Sequence, residues 1–183
     1  MSYVDLISTT SGPTAARQLA RSLKRHDKKL VLTESCTGGL IASWLTRIPG
    51  ISANFCGSAV VYRNETKHAW LDVPREKLIR PGPVSDAVAE AMALGVLRAT
   101  PEADVAASIT GHFGPDAPAR QDGLFFVGIA LRRESSAADS LRGEVHRFRF
   151  PASSGDMTPL QLRKQRRQQA GRIVCQLLMH HLR

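Results

Sequence analysis

Lys29-Leu30-Val31-Leu32-Thr33, followed by Glu34-Ser35-Cys36-Thr37-Gly38-Gly39, is the stretch that decides how this chain folds. KLVLT reads as a short buried strand, while Leu40, Ile41, Trp44 and Leu45 recur at helical spacing after the two glycines. The hexapeptide between them is therefore a strand-to-helix turn. Glycines there let a ligand approach the backbone closely, and a helix start aims N–H groups and the positive end of its dipole beside Ser35. That is suitable ground for an oxyanion or a phosphate. The same residues also make an ordinary polar helix start, with Thr37 capping and Ser35 idle.

The flanking sequence extends an α/β pattern. Pro13 to His26 places Ala16, Leu19, Ala20 and Leu23 on one stripe after Ser11, an amphipathic surface helix. Ser58 to Tyr62 (SAVVY) reads as a strand, and Asn64 as the N-cap of a short helix bearing Lys67. Ser85 caps a helix to about Thr100, with Val88, Met92 and Val96 on its inner face. Asp104 to Thr110 is a further strand, and it ends in a glycine-bearing loop, Gly111 to Asp116. Gly123 to Leu131 (GLFFVGIAL) is apolar enough to be central, and Glu144 to Phe150 alternates as an edge strand with one wet face. Residues 151–158 form a loop. From Pro159 one long helix puts Leu160, Ile173, Val174, Leu177 and Leu178 toward the core, with basic residues crowding its first half. Ligands collect at the carboxyl ends of strands in such sheets, so three strand-end loops are expected to share one cleft.

A chain of 183 residues, 43% hydrophobic and 22% charged, suits one domain over residues 1–183. Its net charge of +9 favours an anionic partner such as a nucleotide, or else is a basic solvated surface. Aromatics are only 5% of the chain and do not interleave with the basic residues, so nucleic acid is not the expected partner. Three cysteines without C-x-x-C spacing are read as free thiols in a reducing compartment. With no signal-like start and no membrane-length apolar run, a cytoplasmic location and no membrane partner are expected, and homo-oligomerisation stays open.

Ser35, Tyr62 and Lys67 form a possible constellation without histidine or metal. A serine attacks when a base takes its proton, and a buried lysine of lowered pKa serves as that base. Cys36 is a rival nucleophile if a helix start lowers its thiol pKa. Among the histidines only His112 stands at a strand end; His26 and His68 fall in helices, His146 on the edge strand, and His180 and His181 at the chain end. Neither a metal nor a cofactor is expected. Arg163 and Arg167, one helical turn apart, either fork onto a phosphate or belong to a solvated basic face.

The runs L-T-E-S-C-T-G-G-L-I-A (32–42), G-S-A-V-V-Y-R-N-E-T-K (57–67), G-P-V-S-D-A-V-A-E-A-M-A-L-G (82–95), I-T-G-x-x-G-P (109–115) and G-x-x-F-V-G-I-A (123–130) follow the order and spacing of one family. Through them the chain resembles the CinA C-terminal domain, from about residue 14 to the terminal helix. The resemblance implies a three-layer α/β/α sandwich around a central mixed sheet. It also implies deamidation of nicotinamide mononucleotide to nicotinic acid mononucleotide and ammonia, in pyridine-nucleotide recycling. On matching motifs it assigns the nucleophile to Ser35, and the tyrosine and lysine of Y-x-N-E-x-K to Tyr62 and Lys67. Amides near Thr37 and Gly38 would hold the oxyanion. Thr37, Gly38, Gly39, Thr110, Gly111 and Gly114 are the expected substrate-binding residues, with Arg163 and Arg167 for the 5′-phosphate.

The chain departs from the family's G-I-A-G-P-G-G and K-P-x-G runs, carrying His112, Phe113 and Asp116 in the first and Arg120-Gln121-Asp122-Gly123 in place of the second. A carboxylate at Asp116, if it faced a phosphate, would cost on the order of 1 kcal/mol. Gly155-Asp156 is separated from Arg163 by an insertion. These changes make an altered substrate, or a binding protein without chemistry, the alternative function.

Overall fold

The computed structural model describes residues 10–114, 117–118, 120–132, 141–151 and 157–182. Expectations for Asp116 and for Gly155-Asp156 lie outside the described residues. Ser11 caps α1 (Gly12–Arg25) by accepting from the Thr14 amide, and Leu19 and Leu23 point from this helix into the core. β1 (Leu30–Glu34) is buried on both faces. It leads through the glycine turn into a short helix, α2 (Leu40–Leu45).

The expected strand at 58–62 is shifted: β2 is Phe55–Val60, so Tyr62 stands beyond it. The physical reason is pairing. β1 offers partners only from Leu30 to Glu34, and these match Phe55 to Val60. Asn64 is the first residue of α3 (Asn64–Leu71) rather than its cap, and Arg63 holds the N-cap position without a side-chain bond. A short helix, α4 (Arg75–Ile79), follows; it is too brief for helical periodicity to show in the sequence. α5 (Asp86–Arg98) is capped by Ser85 and buries Val88, Met92 and Val96, as its spacing predicts.

β3 (Val105–Gly111), β4 (Leu124–Arg132) and β5 (Leu141–Arg149) complete a five-stranded sheet of order β2-β1-β3-β4-β5. β1 runs parallel to β2 and to β3, whereas β4 is antiparallel to β3 and β5 is antiparallel to β4. The sheet is mixed, and helices cover both faces. α1, α2 and the last helix, α6 (Pro159–His181), pack on Leu30, Leu32, Ile109, Val127 and Ile129. α3, α4 and α5 pack on the alternate residues Val31, Ala106 and Ala130. This is the expected three-layer α/β/α arrangement.

Two expectations need correction. β4 is not the central strand but the fourth of five; its apolar run reports two covered faces, not a middle position. Leu160 does not join the core, being 77% exposed in the first turn of α6, before that helix reaches the sheet.

Candidate active site

The strand order turns in opposite directions on either side of β1, which opens a crevice at the carboxyl ends of β1, β2 and β3. A cleft of about 540 Å³ lies there, lined by Ser35, Tyr62, Lys67, Thr110, Gly114 and Arg163 among others. The three strand-end loops thus converge, although they are far apart in the chain.

The turn after β1 is built differently from the sequence expectation. Gly38 and Gly39 adopt φ of 60° and 84°, the left-handed region that favours glycine. Glu34, fully buried, accepts from the Ile41 and Ala42 amides at 3.2 and 2.9 Å. The free amides and positive end of α2 are therefore turned to Glu34 and not to a ligand beside Ser35. Thr37 does not cap the helix; Gly39 holds that position, and the Thr37 hydroxyl is buried without a partner among the described residues. The Gly38 amide donates to the Ser35 carbonyl at 3.0 Å, so it is already committed within the turn. Glu34 is the residue that sequence reasoning missed. Its signal was a lone acid at a strand end just before a helix without a capping side chain.

Lys67 comes from the first turns of α3 and is 2% exposed. Its ammonium nitrogen donates to the Val61 carbonyl at 2.9 Å and lies 3.1 Å from Ser35 Oγ. No carboxylate shares a hydrogen bond with it among the described residues, and burial lowers its pKa from 10.5 to about 8. About a tenth of Lys67 is then neutral at pH 7 and about half at pH 8. Cys36 lines the same cleft, but burial pushes its thiol up to about 12. It is protonated where Lys67 begins to lose its proton.

Tyr62 is largely exposed at the cleft mouth, and its hydroxyl accepts from Arg163 at 2.7 Å. Arg163 also donates to the Gly114 carbonyl at 2.7 Å, bridging the loops after β2 and β3. The i, i+4 pair on α6 divides its work. Arg167 donates to the Thr37 carbonyl through Nε at 3.1 Å and through a terminal nitrogen, bracing the turn rather than lining the cleft. Between them, Arg166 is buried and makes a bidentate pair with Asp122 at 2.6 and 2.9 Å. Thr110 and Gly111 line the cleft, with the Thr110 hydroxyl donating to Pro83.

Phe113 is 1% exposed and packs edge-on to Phe125 and tilted against Phe150, so its ring fills the core. Asp122 is neutralised by Arg166. His112 lines the cleft, and burial holds its imidazole below the ordinary range.

Residues 13–154 match the family model of the CinA C-terminal domain. A CinA-like protein from Geobacter metallireducens is 41% identical over 141 residues, 75% of this chain and 34% of that protein. One from Thermosynechococcus vestitus is 40% identical over 146 residues, 78% of this chain and 33% of its own. The chain thus spans about a third of the length of the curated relatives it matches. Among solved structures, the competence/damage inducible protein CihA from Agrobacterium tumefaciens superposes with TM-score 0.79 at 29% identity, covering 98% of each chain. A CinA superfamily protein from Klebsiella pneumoniae gives TM-score 0.80 at 25% identity, over 94% of this chain and 98% of its own. No helix among the described residues is long and apolar enough to cross a membrane.

Proposed function

This chain belongs to the CinA C-terminal domain family, and we propose that it forms one catalytic domain hydrolysing the carboxamide of nicotinamide mononucleotide through Ser35. The observation that carries the reading is the 3.1 Å contact between Ser35 Oγ and Lys67 Nζ in a buried setting. A neutral Lys67 amine keeps one N–H on the Val61 carbonyl and offers its lone pair to the Ser35 hydroxyl. Ser35 Oγ attacks the carboxamide carbon as its proton passes to Lys67. The tetrahedral oxyanion falls to the Thr37 amide, since its neighbour at Gly38 is engaged. On collapse the C–N bond breaks and Lys67 returns the proton to the leaving nitrogen, which departs as ammonia. Water then attacks the nicotinoyl ester, again giving a proton to Lys67, which returns it to Ser35 Oγ as the ester C–O bond breaks, and the acid product leaves as carboxylate with its proton passed to solvent. One water is consumed and one ammonia formed, with no redox change.

Arg163 is the phosphate ligand in this reading and Arg167 a positioning residue. Two of the five Arg163 N–H groups are engaged, by Tyr62 and Gly114, which leaves donors for an anion at the cleft mouth. Ammonia release from nicotinamide mononucleotide and from nicotinamide riboside tests this assignment. Arg163→Ala is expected to raise KM for the mononucleotide about tenfold or more, with little change for the riboside, which has no phosphate. Equal effects on both would remove Arg163 from phosphate recognition.

A further inference from the structure

Away from the cleft, on the face of the sheet covered by α1 and α6, two histidines and a glutamate from distant parts of the chain meet. Glu144 and His146 are two residues apart on β5 and so share one face of the strand. His181 comes from the last turn of α6. One ligand atom from each lies within 4.8 Å of the others. The two carboxylate oxygens of Glu144 stand 3.3 Å from His146 Nε2 and 3.3 Å from His181 Nε2. Ligands at about 2.0–2.1 Å from a tetrahedral ion are about 3.3 Å from each other, so each imidazole already stands at that spacing from one Glu144 oxygen and a small closure of the cluster would bring all three onto one ion.

The ring nitrogens are set for the purpose. His181 Nδ1 lies 2.9 Å from the Leu177 carbonyl, which can only accept. That keeps a proton on Nδ1, as a backbone carbonyl does for metal-bound histidines, while Nε2 donates to the Glu144 carboxylate in the metal-free protein and gives up that proton when an ion takes its place. His146 Nε2 is buried and has no aligned hydrogen-bond partner. The carbonyl end of α6, with its partial negative charge, adds a favourable field for a cation. Nothing in the chemistry at Ser35 uses these groups.

We propose that Glu144, His146 and His181 form a site for a divalent first-row cation of the Zn2+, Co2+ or Ni2+ class, pinning the end of α6 to the edge strand β5. Two imidazoles and one carboxylate suit such borderline ions better than Mg2+ or Ca2+, which take oxygen ligands. The fourth position falls to water. This role is independent of the amidase reading.

Calorimetric titration of the full chain, stripped with chelator, with ZnCl2 tests it, together with the visible spectrum on adding Co2+. The parent is expected to bind one equivalent, to melt at higher temperature with Zn2+, and to give the intense d–d bands of a four-coordinate Co2+ site. Glu144→Gln, which keeps the shape of an exposed side chain, and His181→Gln should each weaken binding tenfold or more and remove the stabilisation. His68→Gln, whose imidazole contacts the Val73 carbonyl elsewhere, should bind as the parent does. Absence of saturable binding, or affinity unchanged in both cluster variants, would overturn the proposal and leave an ion-paired triad.

Discussion

Replacing Lys67 with methionine is expected to lower kcat/KM for nicotinamide mononucleotide by on the order of 10^3, without unfolding the protein. Methionine fills the buried volume but cannot accept the Ser35 proton, and a positioned base is worth about 10^2 to 10^4 in rate. The pH dependence gives a second reading of the same group. Lys67 must be neutral to act, so activity in the parent should climb through its pKa of about 8 and level off above it. The residual activity of Lys67→Met should lack that inflection. Stability carries the complementary signature. The unfolded lysine has the ordinary value of 10.5 and the folded one about 8, so between these values the unfolded chain holds the extra proton. Stability therefore rises with pH across that window, and the full cost of burying the amine is present below about 8. Denaturant melts at pH 7.5 and 10 should show this gain in the parent and not in Lys67→Met. A variant with parental kcat/KM would remove Lys67 from the chemistry.

Asp122→Ala is expected to produce the largest loss of stability, about 2–3 kcal/mol, or a Tm lower by about 5–10 °C in thermal melts. Arg166 is 2% exposed and its charge is met by the Asp122 carboxylate through two hydrogen bonds. Removing the acid leaves a guanidinium in a dry setting, and its Nε already lacks a partner among the described residues. The loss falls just below the usual range of about 3–5 kcal/mol for a broken buried pair, because the Asp122 side chain is 34% exposed. Arg166→Met should cost less, and the double variant should regain part of the loss, since the penalty lies in the orphaned charge. The Arg166 guanidinium holds the Asp122 carboxyl below its ordinary 3.8, so this contribution is complete above that value and fades as pH falls through the lower one. An Asp122→Ala melt within 1 °C of the parent would contradict the assignment.

The two effects arise in different parts of the chain, Lys67 on α3 and Asp122 just before β4. KLVLT and ESCTGG were readable because a strand covered on both faces is a short apolar run and a left-handed turn calls for glycine. Ser35, Tyr62 and Lys67 each follow a parallel strand, but spacing marked them only weakly and it was the resemblance to the CinA C-terminal domain that singled them out. Three of the four arginines of α6, those at 163, 166 and 167, were not separable. At about 100° per residue they look alike in sequence, yet Arg163 enters the cleft, Arg166 is buried against Asp122 and Arg167 braces Thr37. Only the packing of α6 on the turn decides which does which. Glu34 was hidden for a similar reason, because its partners are backbone amides that carry no sequence signal. Glu144, His146 and His181 have no metal-like spacing and meet only where the end of α6 lies over β5.

Everything in the catalytic account turns on whether Ser35 opens the carboxamide. Ammonia release from nicotinamide mononucleotide by the purified chain, measured beside Ser35→Ala, tests that directly. The account predicts steady release by the parent, with nicotinic acid mononucleotide formed in equal amount, and none above background in the variant. Equal release by Ser35→Ala, or none from a folded parent, would contradict it.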